Sequence, residues 1–400
     1  MRRPELLAAA LIVAFALVAG WNTYRYPSGA GYDVRQHREY ADLLVHHGEI
    51  PAKGKHTEYY TPPGFYALAG VATVIGEHVH AGDPHKLGQI LNWLILLAAA
   101  WVLWLLAREL FPGRPWLQLT ALAYFCFLPV VLRVGAMFHP EPLSMLLSAV
   151  ALLLAARVLR RHDHRWQAAA AVGVVLGLGQ LVRAFSLWTF AAVVLAFALA
   201  RAWRPLAIAV LATAVVAAPW YIRQTVKYGD PVFAVKEKNK PIYERRPACF
   251  YVCLGLPQVF TDPFRPRFVN EAVPTTYSEV WGDYFGVWRG DRELQAFLGL
   301  MPTLLAVAGW LWLLARSLRS PPRLAVALLP GLGLLGYLYF TVSYPTPDGD
   351  VLKASYMLTT APAWALAFGY AVDRLPGRLR VAAALVLAAS ALAALPFLLY

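Results

Sequence analysis

The sequence predicts an all-α polytopic membrane protein, a bundle of about eleven transmembrane helices with juxtamembrane helices on its outer face. Three observations carry this. Hydrophobic residues make up 59% of the 400 positions and charged residues 15%, against roughly 45–50% and about 25% in a soluble domain, and mean hydropathy is +0.50. The apolar residues fall in runs long enough to cross a bilayer, which takes about 20 residues. Ala, Leu and Val dominate those runs, and backbone groups in lipid must bond within their own segment, so the runs are helices rather than barrel strands. Three cysteines are too few for a disulfide scaffold.

The expected spans are residues 5–21, 87–107, 116–135, 142–159, 167–182, 184–200, 205–222, 297–315, 323–342, 355–372 and 379–399. Residues 62–76 are apolar but short, open on Pro62-Pro63-Gly64 and lack a basic flank. They read as a juxtamembrane helix, and that choice sets the parity of all later spans. With the N-terminus inside, 16 of the 36 Lys and Arg and 4 of the 23 acids fall in inner loops. The inner side then carries +12 of the net +13, as retention of cations in the cytoplasm requires. The basic charge is therefore a topology signal, and nucleic acid is not expected as a partner. The opening Arg2-Arg3 and the apolar run to Gly20 read as a first span rather than a cleaved leader, since no Ala-x-Ala site precedes Trp21. Three regions follow: residues 1–225 with the outer loop 22–86, an outer segment 226–296, and C-terminal helices 297–400.

Inner loops are brief Arg-rich stitches, and span interiors hold little beyond the amides Asn92, Gln118 and Gln180. Pumps and many transporters need ionisable groups or broken helices near the midplane, so the functional surface is expected at the outer boundary. The first outer loop carries the sharpest signal. Tyr32 to Leu44 suits a short amphipathic helix, with Asp33 at its start, where a carboxylate also suits a capping role. Glu58-Tyr59-Tyr60-Thr61-Pro62-Pro63-Gly64-Phe65-Tyr66 then leads to the next membrane segment.

An acidic residue soon after the first span, a short helix and Tyr-x-Pro-Pro-Gly-x-Tyr resemble the GT-C-type integral-membrane glycosyltransferases, in particular the protein O-mannosyltransferase and aminoarabinose-transferase branch. His139-Pro140-Glu141-Pro142 resembles a second acidic position in a short outer loop. Leu181-Val182-Arg183 and Lys353-Ala354-Ser355-Tyr356 with Ala361-Pro362-Ala363 resemble later elements. The likeness covers the first seven spans well, and Trp281-Gly282-Asp283-Tyr284 has no counterpart in it.

The resemblance implies a GT-C-like bundle and inverting transfer of a hexose or pentose from a polyprenyl-phosphate carrier to a lipid, glycan or protein acceptor. Such transfer needs a base for the acceptor hydroxyl and cations for the departing phosphate, a task that suits the planar fork of Arg. It implies Asp33 as base, with Glu141 as a second carboxylate for the acceptor or a metal. Arg183 and Lys353, then Arg133 and Arg35, are the candidate phosphate ligands, and His139, Tyr59 and Tyr60 line the substrate. The first loop lacks the doubled acidic pair of some branches, so dependence on a divalent metal stays open. The expected setting is a bacterial inner membrane, N-terminus cytoplasmic, with the site on the periplasmic or extracellular face. A lipid-carrier transporter or flippase, and a non-catalytic envelope-assembly protein using Trp281–Trp288 as a contact surface, are the alternatives.

His78, His80, Asp83 and His85 could gather a transition metal, although no Cys accompanies them and the spacing fits no recognised site. Cys249 and Cys253 stand four apart in the third outer segment, where a disulfide requires distortion of a regular helix. Glycines 173 to 179 favour close helix packing.

Overall fold

The computed structural model describes residues 3–80, 82–163, 165–231, 247–264, 271–283, 292–343 and 353–398. The described elements are helices: α1 (Arg3–Arg25), α2 (Val34–His47), α3 (Gly64–His78), α4 (Lys86–Leu110), α5 (Pro115–Phe127), α6 (Pro129–Ala136), α7 (Glu141–Arg161), α8 (Trp166–Val182), α9 (Leu187–Leu199), α10 (Trp203–Tyr228), α11 (Ala248–Val252), α12 (Gln258–Thr261), α13 (Ala272–Trp281), α14 (Arg292–Ser317), α15 (Leu324–Ser343), α16 (Ala361–Val372) and α17 (Gly377–Leu398). Short 3₁₀ turns precede α9, α15 and α16.

Every expected span falls on helix, but the count of eleven is not reached on length. Among the described residues seven helices are long and apolar enough to cross a membrane, eight if the bent pair α5 and α6 is one span. This makes the chain an integral membrane protein. Residues 116–135, expected as one straight span, break at Leu128 with a 49° bend. Pro129 pushes its predecessor out of the helical region, and Leu128 accordingly sits at ψ 120. The first part of residues 355–372 is likewise not simple helix: Ala354–Thr360 is 3₁₀ before α16 begins.

Helix α3 has 15 residues, about 22 Å, and lies along α2. Tyr66 near its start meets His37, and Glu77 near its end meets His46. Helix α3 is not among the described helices long and apolar enough to cross a membrane. Tight helix crossings depend on glycine. A Cβ at Gly173 would come within 2.3 Å of the Ala209 carbonyl oxygen, and one at Gly309 within 2.0 Å of that of Ala367. The first contact packs α8 on α10, where the glycine run was expected to act.

The two ends of the bundle differ in chemistry. One end carries the arginine stitches: Arg160 and Arg157 pair with Glu109, Arg114 with Asp373, and Arg323 donates to the Leu110 carbonyl. The opposite end gathers the loop after α1, the α6–α7 turn, the α8–α9 turn and Lys353.

Candidate active site

Asp33 opens α2 at φ 52, a left-handed conformation that Asp tolerates better than most residues. The capping expectation fails, because no side-chain cap bond forms. Instead the carboxylate accepts from the Lys353 ammonium, which comes from 320 residues away and is nearly buried. Burial would raise the Asp33 pKa, but the Lys353 charge and hydrogen bond outweigh it and hold the carboxyl below its ordinary range. Asp33 is thus an ionised, half-buried carboxylate, able to accept a proton.

Glu141, the first residue of α7, is fully buried, and its Oε1 accepts from Arg183 Nε at 2.7 Å. The pairing follows from the local sequence. Arg183 ends α8 in extended backbone, and its guanidinium lies over Phe185 and Tyr356 at 5.7 and 5.5 Å. The α6–α7 turn that presents Glu141 is tied down by Asn92, whose amide donates to the carbonyls of Met137 and His139 at 2.9 and 2.8 Å. Gln89 does the same for Ala136 at 2.8 Å. Asn92, noted in the sequence as an amide within a span, therefore serves to hold the site.

His139 is buried between these elements, with its ring 4.9 Å from that of His37. His37 lies one turn beyond Asp33 on α2, with Nδ1 2.8 Å from the Tyr66 hydroxyl. Burial lowers its pKa to about 4 and pushes His139 well below the ordinary range. Both imidazoles are neutral at pH 7.

The structure thus brings together Asp33, Lys353, Glu141, Arg183 and His139. It does not bring Arg35, whose side chain is 84% exposed and pairs with Glu39 one turn along α2. At that position the helical turn points the residue away from the Asp33 face. Tyr59 packs its ring on Tyr60 and on Tyr228 of α10, at 5.6 and 5.1 Å, which ties the loop to the bundle. Arg133 is fully buried beside the site and bonds Glu279.

Two carboxylates escaped the sequence reading. Glu58, near-buried, accepts from Thr61 and contributes its charge to His37, Arg183 and Lys353. Its place just before Tyr-x-Pro-Pro was the available signal. Folding thereby gives the first loop a second carboxylate that spacing alone did not reveal. Glu279 on α13, fully buried, offered no local pattern at all. Among the described residues no group of three or more His, Cys, Asp or Glu could hold a metal ion. His85 instead meets Asp42 at 2.8 Å and Arg38 at 2.8 Å, and His78 bonds the Val74 carbonyl in its own helix.

In the third segment Cys249 and Cys253 form a disulfide. The helix gives way as expected: α11 ends at Val252 and Cys253 is extended. Trp281 is buried in the core and donates to Thr303 at 2.8 Å. Most of the Trp281–Trp288 surface and residues 344–352 lie outside the described residues.

Beside Lys353 lies an apolar cavity of about 450 Å³, walled by Tyr277, Val280, Leu334, Tyr337, Ala354 and Trp364 among others.

The profile of the family described as dolichyl-phosphate-mannose-protein mannosyltransferase matches residues 61–222. That stretch includes His139, Glu141 and Arg183 but neither Asp33 nor Lys353. No curated protein matches the sequence. Among solved structures the chain resembles ArnT from Cupriavidus metallidurans bound to undecaprenyl phosphate, with a TM-score of 0.56 at 18% identity over 96% of this chain and 64% of that one. It resembles the Archaeoglobus fulgidus oligosaccharyltransferase in complex with Zn and sulfate, with a TM-score of 0.58 at 15% identity over 97% and 52%. The arabinofuranosyltransferase AftD from Mycobacteria gives a TM-score of 0.54 at 16% identity over 100% and 27%. The chain spans less than two thirds of the length of each of these proteins. It has the fold of the GT-C-type membrane glycosyltransferases, and in sequence it resembles the mannosyltransferase family over residues 61–222.

Proposed function

We propose that the chain is a membrane glycosyltransferase that moves one sugar, a hexose or pentose, from a polyprenyl-phosphate carrier to an acceptor hydroxyl at the outer membrane boundary. The observation that carries this is the meeting, at one end of the bundle, of the Asp33–Lys353 and Glu141–Arg183 pairs beside a wide apolar cavity. A polyprenyl phosphate needs both kinds of surface, cations for its head and apolar walls for its tail.

Asp33 removes the proton of the acceptor hydroxyl as its oxygen attacks the anomeric carbon from the face opposite the phosphate. The C–O bond to phosphate breaks, the configuration inverts, and the electron pair leaves on the phosphate. Arg183 and Lys353 stabilise the charge that develops there. Glu141 holds the Arg183 fork in place, and the neutral imidazole of His139 lines the sugar. Two solved neighbours were captured with such carriers, ArnT with undecaprenyl phosphate and the archaeal AglB with a dolichol-phosphate, which supports a carrier of this class here. The positive-inside rule favours a cytoplasmic position for the arginine-rich end of the bundle, which supports a site on the opposite, periplasmic or extracellular face; the bacterial inner membrane is the setting proposed from the sequence.

Asp33→Asn tests the assignment. Asn tolerates the left-handed backbone as Asp does, so only the charge changes. Transfer falls by about 10²–10⁴-fold, the range of one general base, while the protein stays folded in the membrane. Undiminished transfer would remove Asp33 from the reaction.

A further inference from the structure

Behind the base lies a buried polar anchor that the transfer chemistry does not itself use. Glu279 of α13 is fully buried, as is Arg133 of the bent α5–α6 pair. One Arg133 nitrogen donates to the Glu279 backbone carbonyl and lies 3.3 Å from its carboxylate. The same carboxylate oxygen accepts from the hydroxyl of Tyr32. Buried charges are retained only when paired and hydrogen-bonded, and here the pairing has a specific target. Tyr32 is the residue before Asp33, and its ring lies 5.8 Å from the Lys353 ammonium that bonds Asp33. Asp33 itself sits at φ 52, a conformation that persists only where surrounding contacts over-determine it. Gly31, on the other side of Tyr32, sits at φ 119, where a Cβ would meet Met137 at 2.8 Å. The backbone is thus turned sharply at 31 and 33, and Tyr32 is the pin between them. An adjacent face of α13 lines the apolar cavity through Thr276, Tyr277 and Val280.

We infer that Glu279, backed by Arg133, is a positioning residue that fixes Tyr32 and thereby holds the Asp33 carboxylate and its Lys353 partner in the geometry for proton removal. This deepens the glycosyltransferase reading and rests on it. It also gives the third outer segment a role: α13 ties the cavity wall to the base.

Tyr32→Phe is the test, because it removes one hydroxyl and keeps the ring beneath Lys353. Single-turnover transfer from a polyprenyl-phosphate sugar is followed in wild type and variant, with folded protein quantified by its thermal midpoint in detergent. Misplacing a catalytic group by about 1 Å costs roughly a hundredfold. The inference predicts that kcat falls ten- to a hundredfold, that the donor KM stays within about twofold of wild type and that the midpoint holds. Glu279→Gln gives the same split, and the double variant is no slower than the worse single, since both break one link. Glu279→Gln removes one of the two carboxylates that face Arg133, the other being Asp283, so if it fails to fold, Tyr32→Phe alone decides. Wild-type kcat in Tyr32→Phe, a loss confined to KM, or losses that multiply in the double variant would each overturn the inference. Absence of transfer in the wild type itself would instead overturn the glycosyltransferase reading.

Discussion

Replacing Glu141 by Gln removes the counter-charge of Arg183 and separates stability from donor recognition. Glu141 is 0% exposed and the Arg183 side chain 9%, with Nε and Oε1 2.7 Å apart. Breaking such a pair from one side costs about 3–5 kcal/mol, because the remaining ion stays buried without its hydrogen-bonded partner, whereas replacing both partners by apolar groups of similar volume is about neutral; Glu58, which also contributes its charge to Arg183, places the cost at the lower end. Glu141→Gln is therefore destabilised by roughly 3 kcal/mol. Glu141→Leu with Arg183→Met returns to within about 1 kcal/mol of wild type. Activity does not return with it. The double variant lacks the fork that meets the departing phosphate, and loss of one such electrostatic contact costs about 10²–10³-fold. Chemical unfolding in mild detergent reads the first quantity and release of polyprenyl phosphate the second. A Glu141→Gln protein as stable as wild type would show that the pair is solvated. A double variant that transfers normally would remove Arg183 from the donor phosphate.

Lys353→Met lifts the charge that outweighs burial at Asp33, so the carboxyl pKa rises and the acid limb of kcat/KM moves to higher pH; an unmoved limb would mean that Lys353 does not set the base. Asp33 in wild type has a depressed folded pKa, so its stabilising contribution is present above the unfolded value and is lost as pH falls through the folded one. That loss is absent from Lys353→Met in an acid titration of unfolding. His37 has a folded pKa of about 4 against 6.5 when free. The unfolded chain binds more protons between these values, so stability falls as pH drops through that window, by up to about 3 kcal/mol. His37→Phe flattens this slope, and a slope that persists would place the titration elsewhere. Alkylation after denaturation labels Cys126 alone under non-reducing conditions and all three cysteines after reduction; three labels without reductant would contradict the Cys249–Cys253 bond.

Much of the bundle was legible because lipid imposes one rule, a long apolar helix for each crossing, and charge asymmetry sorts the loops. The count of eleven is not reached on length at four places: Pro129 bends the fifth helical stretch, α8 and α9 have only 17 and 13 residues, and a 3₁₀ turn takes up the start of the stretch before α16. In the site, Asp33, Glu141, Arg183 and Lys353 stood out because the short segments around them resemble those of the GT-C enzymes, not because anything local marks them as charged groups of a site. Their pairing did not, since Asp33 and Lys353 are 320 positions apart and nothing local selects one partner over another. Arg35 falls away from the other candidates because two positions of helical rotation from Asp33, invisible in a short motif, leave its side chain exposed. Glu279 was missed for the opposite reason. It lies in a segment with little periodicity, and its partners Tyr32 and Arg133 are 247 and 146 residues away. Long-range polar pairs of this kind are visible only once the helices are packed.

The account stands or falls on whether the chain cleaves the bond between sugar and lipid phosphate. Purified protein in bilayer nanodiscs, given a panel of polyprenyl-phosphate sugars and candidate acceptors, is to be followed for free polyprenyl phosphate. At least one donor is predicted to release its carrier with a glycosylated product formed in step, and Asp33→Asn is predicted to release it about a hundredfold or more slowly. Carriers that bind, or cross a vesicle membrane, with their sugar still attached would contradict it.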